Sequence, residues 1–117
     1  MKYDTVIIGG GLTGLTCGIS LASRGQKVMV ASAGQSSLHF NSGSFDLLGY
    51  DESGKLVNDP LKAVKALGSE HPYSKLGDRM ETLAKQAGSL LSDAGLKVKG
   101  QVGQNHFRLT PIGMVKP

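Results

Sequence analysis

Several residue types that define large protein classes are scarce in this 117-residue sequence. Cys17 is the single cysteine, tryptophan is absent and aromatic residues make up 5% of the chain. One cysteine excludes an internal disulfide framework. No two lysines or arginines are adjacent, so the basic stripes and stacking aromatics typical of nucleic-acid-binding proteins are missing. No apolar stretch approaches the roughly 18 residues that span a bilayer, and the start of the chain lacks the pattern of a signal peptide. We therefore expect a cytoplasmic chain that does not bind nucleic acid.

Glycine is abundant, with 17 residues, about twice its ordinary share. The apolar, β-branched run Thr5 to Ile8 predicts a buried parallel strand that ends at Gly9. A helix to about Ser23 is predicted by apolar residues at helical spacing, namely Leu12, Leu15, Ile19 and Ala22. Lys27 to Ala31 predicts a second strand. Strand, glycine turn, helix and strand form a βαβ unit, so the predicted fold class is α/β, a Rossmann-like FAD/NAD(P)-binding fold.

The turn has the spacing Gly9-x-Gly11-x-x-Gly14, and its place between a strand and a helix makes the pattern informative. The first glycine permits the tight turn, the second lets the backbone approach a phosphate, and the third lets helix and strand pack closely. Gly10 lies inside the same turn. Gly18, one helical turn after Gly14, is expected to extend this smooth face, whereas Cys17 is expected to be a small core residue. The turn predicts a phosphate site that could serve either a flavin or a nicotinamide nucleotide.

Ser32 stands where dinucleotide-binding proteins carry a ribose-binding acid, about 20 residues after the glycines. A serine cannot form a charged bidentate clasp on a ribose diol, but Ser32 is kept with Gly9, Gly10, Gly11 and Gly14 as a candidate cofactor-binding residue. The loop that follows, from Gly34 to Ser44, lies beyond the predicted carboxyl edge of the strands, where ligands bind in such folds. Its candidate cofactor-binding residues are polar side chains and one flexible glycine: Ser36, Ser37, His39, Ser42, Gly43 and Ser44. No metal site is predicted, because the three histidines lack partners at ligand spacing. The catalytic base is left unassigned, although His39 could serve as a hydrogen-bond donor or an acid–base group.

Helices and short strands are expected in the rest of the chain. Asn58-Asp59-Pro60 predicts a helix start, Ser69 to Gly77 a connector, and Asp78 to about Ala94 a longer helix. The segments Leu96–Gly100 and His106–Thr110 are predicted to pair as strands, and Leu56-Val57 to return as a hairpin. The predicted domains are 1–48, the nucleotide-binding unit with its ligand loop, and 49–117. A two-stranded parallel sheet is unfinished, so we expect a longer polypeptide.

Four segments together resemble the B subunits of bacterial anaerobic, quinone-linked glycerol-3-phosphate dehydrogenases. They are YDTVIIGGGLTGLTCG, GQSSLHFNSGSFDLL, HPYSKLG and RLTPIG, which span almost the whole chain. The resemblance implies a flavoprotein subunit that uses FMN, with FAD as the alternative. FMN has no adenosine, which would account for the missing acid at Ser32.

The resemblance also implies an activity and partners. The complex would oxidise sn-glycerol 3-phosphate, a phosphate ester, to dihydroxyacetone phosphate and pass electrons to quinone in anaerobic respiration. The implied partners are the FAD-containing, catalytic A subunit and the iron–sulfur C subunit, which anchors the complex at the inner membrane. A nicotinamide-dependent oxidoreductase and a non-catalytic scaffold protein of the same complex remain the alternatives.

Overall fold

The chain forms two units, Met1–Ser44 and Phe45–Pro117, in a computed structural model that describes residues 1–117. The first unit contains strand β1 (Thr5–Ile8), helix α1 (Leu12–Ala22) and strand β2 (Val28–Ala31), followed by a short 3₁₀ helix at Ser37–Phe40. These bounds agree with the predicted βαβ unit to within one residue at each end. The chain leaves α1 through Gly25, whose φ of +83° suits glycine.

Strands β1 and β2 are parallel and pair in the register Thr5 with Val28 through Ile8 with Ala31. The parallel pair beside a helix confirms the α/β class. One further hydrogen bond extends the strand pair beyond Ile8: the N–H of Gly9 donates to the carbonyl of Ala31 at 2.8 Å. At the opposite end, the carboxylate of Asp4 accepts from the backbone N–H of Lys27 at 2.8 Å.

Helix α1 packs on the strands through glycine rather than through its large apolar residues. Gly18 is buried. A Cβ on it would lie 3.2 Å from Val30 Cγ2 and 3.6 Å from Ile7 Cδ1, which confirms the predicted close approach. The predicted apolar face is instead open, with Leu12 52% and Ile19 51% exposed. Cys17 is also exposed, so its prediction as a core residue is wrong. It is wrong because the glycine face, and not the neighbouring face that carries Cys17, turns toward the sheet.

The second unit contains three helices and one small antiparallel sheet. The helices are α2 (Pro60–Val64), α3 (Pro72–Leu76) and α4 (Arg79–Asp93), and the strands are β3 (Arg108–Leu109) and β4 (Val115–Lys116). Its buried apolar side chains are Val57, Val64 and Met80, beside the fully buried Pro60. Asp59 caps α2 as predicted, because its carboxylate accepts from Lys62 N–H at 2.9 Å.

Two predictions for this unit are wrong. The segment predicted as a connector contains α3, whose first turn is capped by His71 Nδ1 accepting from Tyr73 N–H at 3.1 Å. The predicted pairing of Leu96–Gly100 with His106–Thr110 does not form; Arg108 pairs with Lys116 instead. The partner strand is close in sequence because a tight turn connects the two strands. In this turn Gly113 has φ +78°, and Thr110 N–H donates to the Met114 carbonyl at 2.8 Å. The expected hairpin is reduced to one bridge, between Tyr50 and Leu56.

Candidate functional site

The glycine turn lies at the carboxyl end of β1 and leads directly into α1. Gly9 has φ +109°, a backbone conformation that side chains disfavour. A Cβ on Gly14 would overlap the carbonyl oxygen of Gly9 and approach Ile7 Cγ2 to 3.4 Å. Only glycine therefore lets the helix begin this close to the turn. The predicted structural roles of the first and third glycines are thereby confirmed.

Gly11 is the residue before α1 and has a different environment. Its φ of −77° and ψ of −178° suit any residue, and a Cβ on it would meet no protein atom within 4 Å. The chain's own packing therefore gives no reason for a glycine here. The space beside Gly11 suits a phosphate that approaches the backbone, which is the role predicted for the second glycine.

The N-terminus of α1 has the donors for such a phosphate. No side chain caps this helix, and its first turn contains no acidic residue. The N–H groups of the first turn of a helix have no partner inside the helix, and the helix dipole adds partial positive charge there. Glycine turn, open space and uncapped helix together fit the phosphate of a nucleotide cofactor.

Ser32, the first residue after β2, lies against the glycine turn. A Cβ on Gly10 would stand 3.1 Å from Ser32 Cβ and 3.2 Å from Ser32 Oγ. The Ser32 hydroxyl donates to the carbonyl of Gly34 at 3.0 Å. The structure thus brings together Gly10 and Ser32, two of the predicted site residues.

The loop after β2 is held largely by its own hydrogen bonds. Ser36 Oγ accepts from Leu38 N–H at 3.3 Å, and His39 Nδ1 lies 2.8 Å from the Ser36 carbonyl. Because a carbonyl oxygen can only accept, Nδ1 is the donor and Nε2 remains as the second nitrogen of the ring. The His39 and Phe40 ring centroids are 3.9 Å apart. Gln35, Ser36, Leu38 and His39 line an open depression of about 270 Å³.

The far end of this loop is a second small turn. Asn41 Oδ1 accepts from Gly43 N–H at 2.9 Å, Gly43 has φ +71°, and the hydroxyls of Ser42 and Ser44 lie 2.7 Å apart. Asn41 is not among the predicted site residues, although Asn before a Ser-Gly pair is a typical turn pattern. Ser37 is an exposed residue of the 3₁₀ helix. The cofactor contacts of these loop residues stay predictions.

The comparison with known families identifies the class of protein. Residues 4–117 match the family described as FAD binding domain, and the chain belongs to that family. The family match supports a flavin cofactor, specifically FAD, and gives no support to FMN as the first choice. The expectation of FMN rests on the family resemblance of the sequence motifs. The lack of an acid at Ser32 agrees with FMN, which has no adenosine ribose. The open glycine turn of this chain fits the phosphate of such a nucleotide. Ser32, at the position where a ribose-binding acid is expected, has no carboxylate.

Particular relatives narrow the class further. The B subunit of the anaerobic glycerol-3-phosphate dehydrogenase of Yersinia enterocolitica is 51% identical over 100% of this chain, and that of Yersinia pseudotuberculosis is 48% identical over 100%. The Pectobacterium carotovorum protein of the same name is 46% identical over 97% of the chain. These matches confirm the resemblance found in the sequence motifs. The chain spans 28–29% of the length of these relatives. No solved structure gives a significant match.

No group of three or more histidines, cysteines or acids is arranged to hold a metal ion. No helix is long and apolar enough to cross a membrane.

Proposed function

We propose that this chain forms the phosphate-binding front of a flavin-dependent dehydrogenase subunit with a Rossmann-like nucleotide-binding unit. The observation that carries the proposal is the uncapped start of α1 behind a turn in which Gly11 faces open space. Membership of the FAD binding domain family supports FAD as the nucleotide. When bound, the flavin supplies the redox chemistry by accepting a hydride from the substrate.

The residues of this chain position the cofactor rather than react with the substrate. The N–H groups of the first turn of α1 would hold a phosphate oxygen. Gly9 and Gly14 keep strand and helix close enough for those groups to converge. The loop with Ser36, Ser37, His39, Ser42, Gly43 and Ser44 supplies hydroxyl, imidazole and backbone donors at the same edge of the strands. No catalytic base is assigned among them.

The substrate and partners follow from the relatives. We propose that the protein oxidises sn-glycerol 3-phosphate to dihydroxyacetone phosphate, within a complex that passes electrons to quinone. The relatives are named as subunits of a dehydrogenase, which supports a multi-subunit complex. Its other members would be an FAD-containing catalytic protein and an iron–sulfur protein at the inner membrane. The mild positive charge of the chain, +4, suits an anionic phosphate ester.

The test is the identity of the cofactor in this subunit after it has been separated from the FAD-containing partner, so that any flavin released comes from this subunit alone. We expect visible flavin absorption, and FAD as the species released on denaturation and separated by chromatography. Release of FMN alone would overturn the FAD assignment, and a colourless preparation without flavin would overturn the proposed function.

A second measurement tests the substrate. The complex should reduce a quinone analogue when glycerol 3-phosphate is added, and Gly11→Asp should abolish this activity by blocking the phosphate. If Gly11→Asp retains full activity in a folded complex, the chain is a scaffold rather than a flavin-binding subunit.

A further inference from the structure

The unit that carries the proposed nucleotide site contains few acidic side chains. The unit Met1–Ser44 contains one acidic side chain, Asp4, against three basic ones, Lys2, Arg24 and Lys27. The Asp4 carboxylate accepts from Lys27 N–H at the end of the strands where both begin. Ser32 follows the opposite end of β2. Four strand residues separate the two ends by about 13 Å, so Asp4 cannot replace an acid at position 32.

The Ser32 side chain is also restricted by its own contacts. Its Cβ and Oγ lie against the Gly10 backbone, and its only hydroxyl hydrogen is donated to the Gly34 carbonyl. Toward a ligand, Ser32 can therefore offer a neutral oxygen that accepts one hydrogen bond. A carboxylate at this position could accept from both hydroxyls of a ribose diol, and charged hydrogen bonds are about twice as strong as neutral ones.

We propose that Ser32 leaves the ribose subsite of this unit uncharged, so that the phosphate contacts of the glycine turn dominate FAD binding and the adenosine ribose adds little. This inference rests on the proposed function, since it concerns the same flavin site. Ser32 is therefore the residue that determines specificity at the ribose. The ligand class is a nucleotide that is held by its phosphate and whose ribose hydroxyls donate to no carboxylate of this unit.

The experiment is a titration of the purified protein, stripped of bound flavin, with FAD and separately with FMN, followed by flavin fluorescence. Three variants at position 32 separate size from charge. Ser32→Ala removes the hydroxyl, Ser32→Gln adds length without charge, and Ser32→Glu supplies the missing carboxylate. Ser32 is exposed, so the longer side chains can extend away from Gly10. Circular dichroism checks that each variant is folded.

We expect Ser32→Ala to change the FAD dissociation constant by less than about threefold and Ser32→Glu to lower it by about tenfold, equivalent to about 1.4 kcal/mol. Ser32→Gln should show no such gain, and FMN, which lacks the adenosine ribose, should gain nothing from Ser32→Glu. The inference is overturned if Ser32→Ala weakens FAD binding tenfold or more, or if folded Ser32→Glu fails to tighten it. A wild-type protein that binds neither flavin overturns the proposed function itself, and this inference with it.

Discussion

The packing of α1 against the glycine turn gives a sharp prediction for Gly14→Ala. The new Cβ would overlap the Gly9 carbonyl oxygen, with the Gly9 carbonyl carbon at 3.2 Å and Ile7 Cγ2 at 3.4 Å. The first two obstacles are backbone atoms, so no change of a side-chain rotamer relieves the overlap. Helix α1 must therefore move off the turn, or the Gly9 peptide must turn.

The expected loss of stability follows from two opposing effects. Forcing an extra methyl group into a filled space costs typically about 1–3 kcal/mol. A backbone obstacle places this substitution near the upper value. Alanine is favoured over glycine in a helix by about 1 kcal/mol. We therefore expect Gly14→Ala to lower the free energy of unfolding by about 2 kcal/mol.

Gly11→Ala is the matched control, because its Cβ would meet no protein atom within 4 Å and its φ of −77° suits alanine. Alanine is a poorer residue than glycine before a helix, but it also restricts the unfolded chain. These effects leave the free energy of unfolding within about 1 kcal/mol of the wild-type value.

Urea denaturation of the purified proteins, followed by circular dichroism, measures both variants. Gly14→Ala should unfold at clearly lower urea concentration than Gly11→Ala. Equal midpoints, or a lower midpoint for Gly11→Ala, would refute the packing argument.

Three further substitutions test other parts of the structure. At Gly18, whose Cβ would lie 3.2 Å from Val30 Cγ2, alanine should be close to neutral and valine should cost about 1–3 kcal/mol in urea denaturation; equal stability would contradict the close approach. Asn105 donates to the carbonyls of Leu48 and Val57, both at 2.7 Å, so Asn105→Ala should cost about 1–3 kcal/mol by thermal denaturation, and a change below about 0.5 kcal/mol would count against it. The hydrogen bond from the Ser53 side chain, followed by one from Lys55 N–H, lowers the pKa of Asp51. A depressed pKa means that the carboxylate stabilises the fold above its unfolded pKa and loses this effect as pH falls through the folded pKa. An NMR titration should show the lowered midpoint, which Ser53→Ala should raise; no change in Ser53→Ala would refute the assignment.

The first unit could be predicted from the sequence because its signals are local. A β-branched run, a glycine turn and helical spacing each specify their element without help from distant residues. Thr5–Ile8 and the start of α1 at Leu12 therefore agree with the structure. The side of α1 that packs could not be read from hydrophobicity. Gly18 is buried, whereas Leu12 and Ile19 are half exposed. The backbone of α1 lies so close to the strands that the interface has no room for large side chains.

The second unit was less predictable because its strands are short and depend on partners. Leu96–Gly100 has an alternating pattern but forms no strand, whereas Arg108 and Leu109 pair across a turn with Lys116 and Val115. Two-residue strands carry too few residues for a period to be recognised. The sequence also did not predict that His71 caps α3. Pro72, at the first helical position, is a residue type that generally indicates a helix start.

The candidate site also has one part that the sequence predicts and one part that it does not. The positions of Gly9, Gly11, Gly14 and Ser32 follow from motif spacing, since a strand end and a helix start fix them. The internal hydrogen bonds of the loop from Ser36 to Ser44 depend on turn geometry that composition does not specify. The same sequence signals could not separate FMN from FAD, because both cofactors present a phosphate to such a turn.

The central claim, that Gly11 faces a flavin phosphate, is tested most directly by an FAD titration of wild-type protein, Gly11→Asp and Gly68→Asp. Gly68 is exposed and a Cβ on it would meet no atom within 4 Å, so its variant adds the same charge in the unit Phe45–Pro117 without a steric clash. Wild-type protein and Gly68→Asp should bind FAD equally, and folded Gly11→Asp should bind at least about tenfold more weakly. Equal FAD affinity in all three proteins would contradict the account.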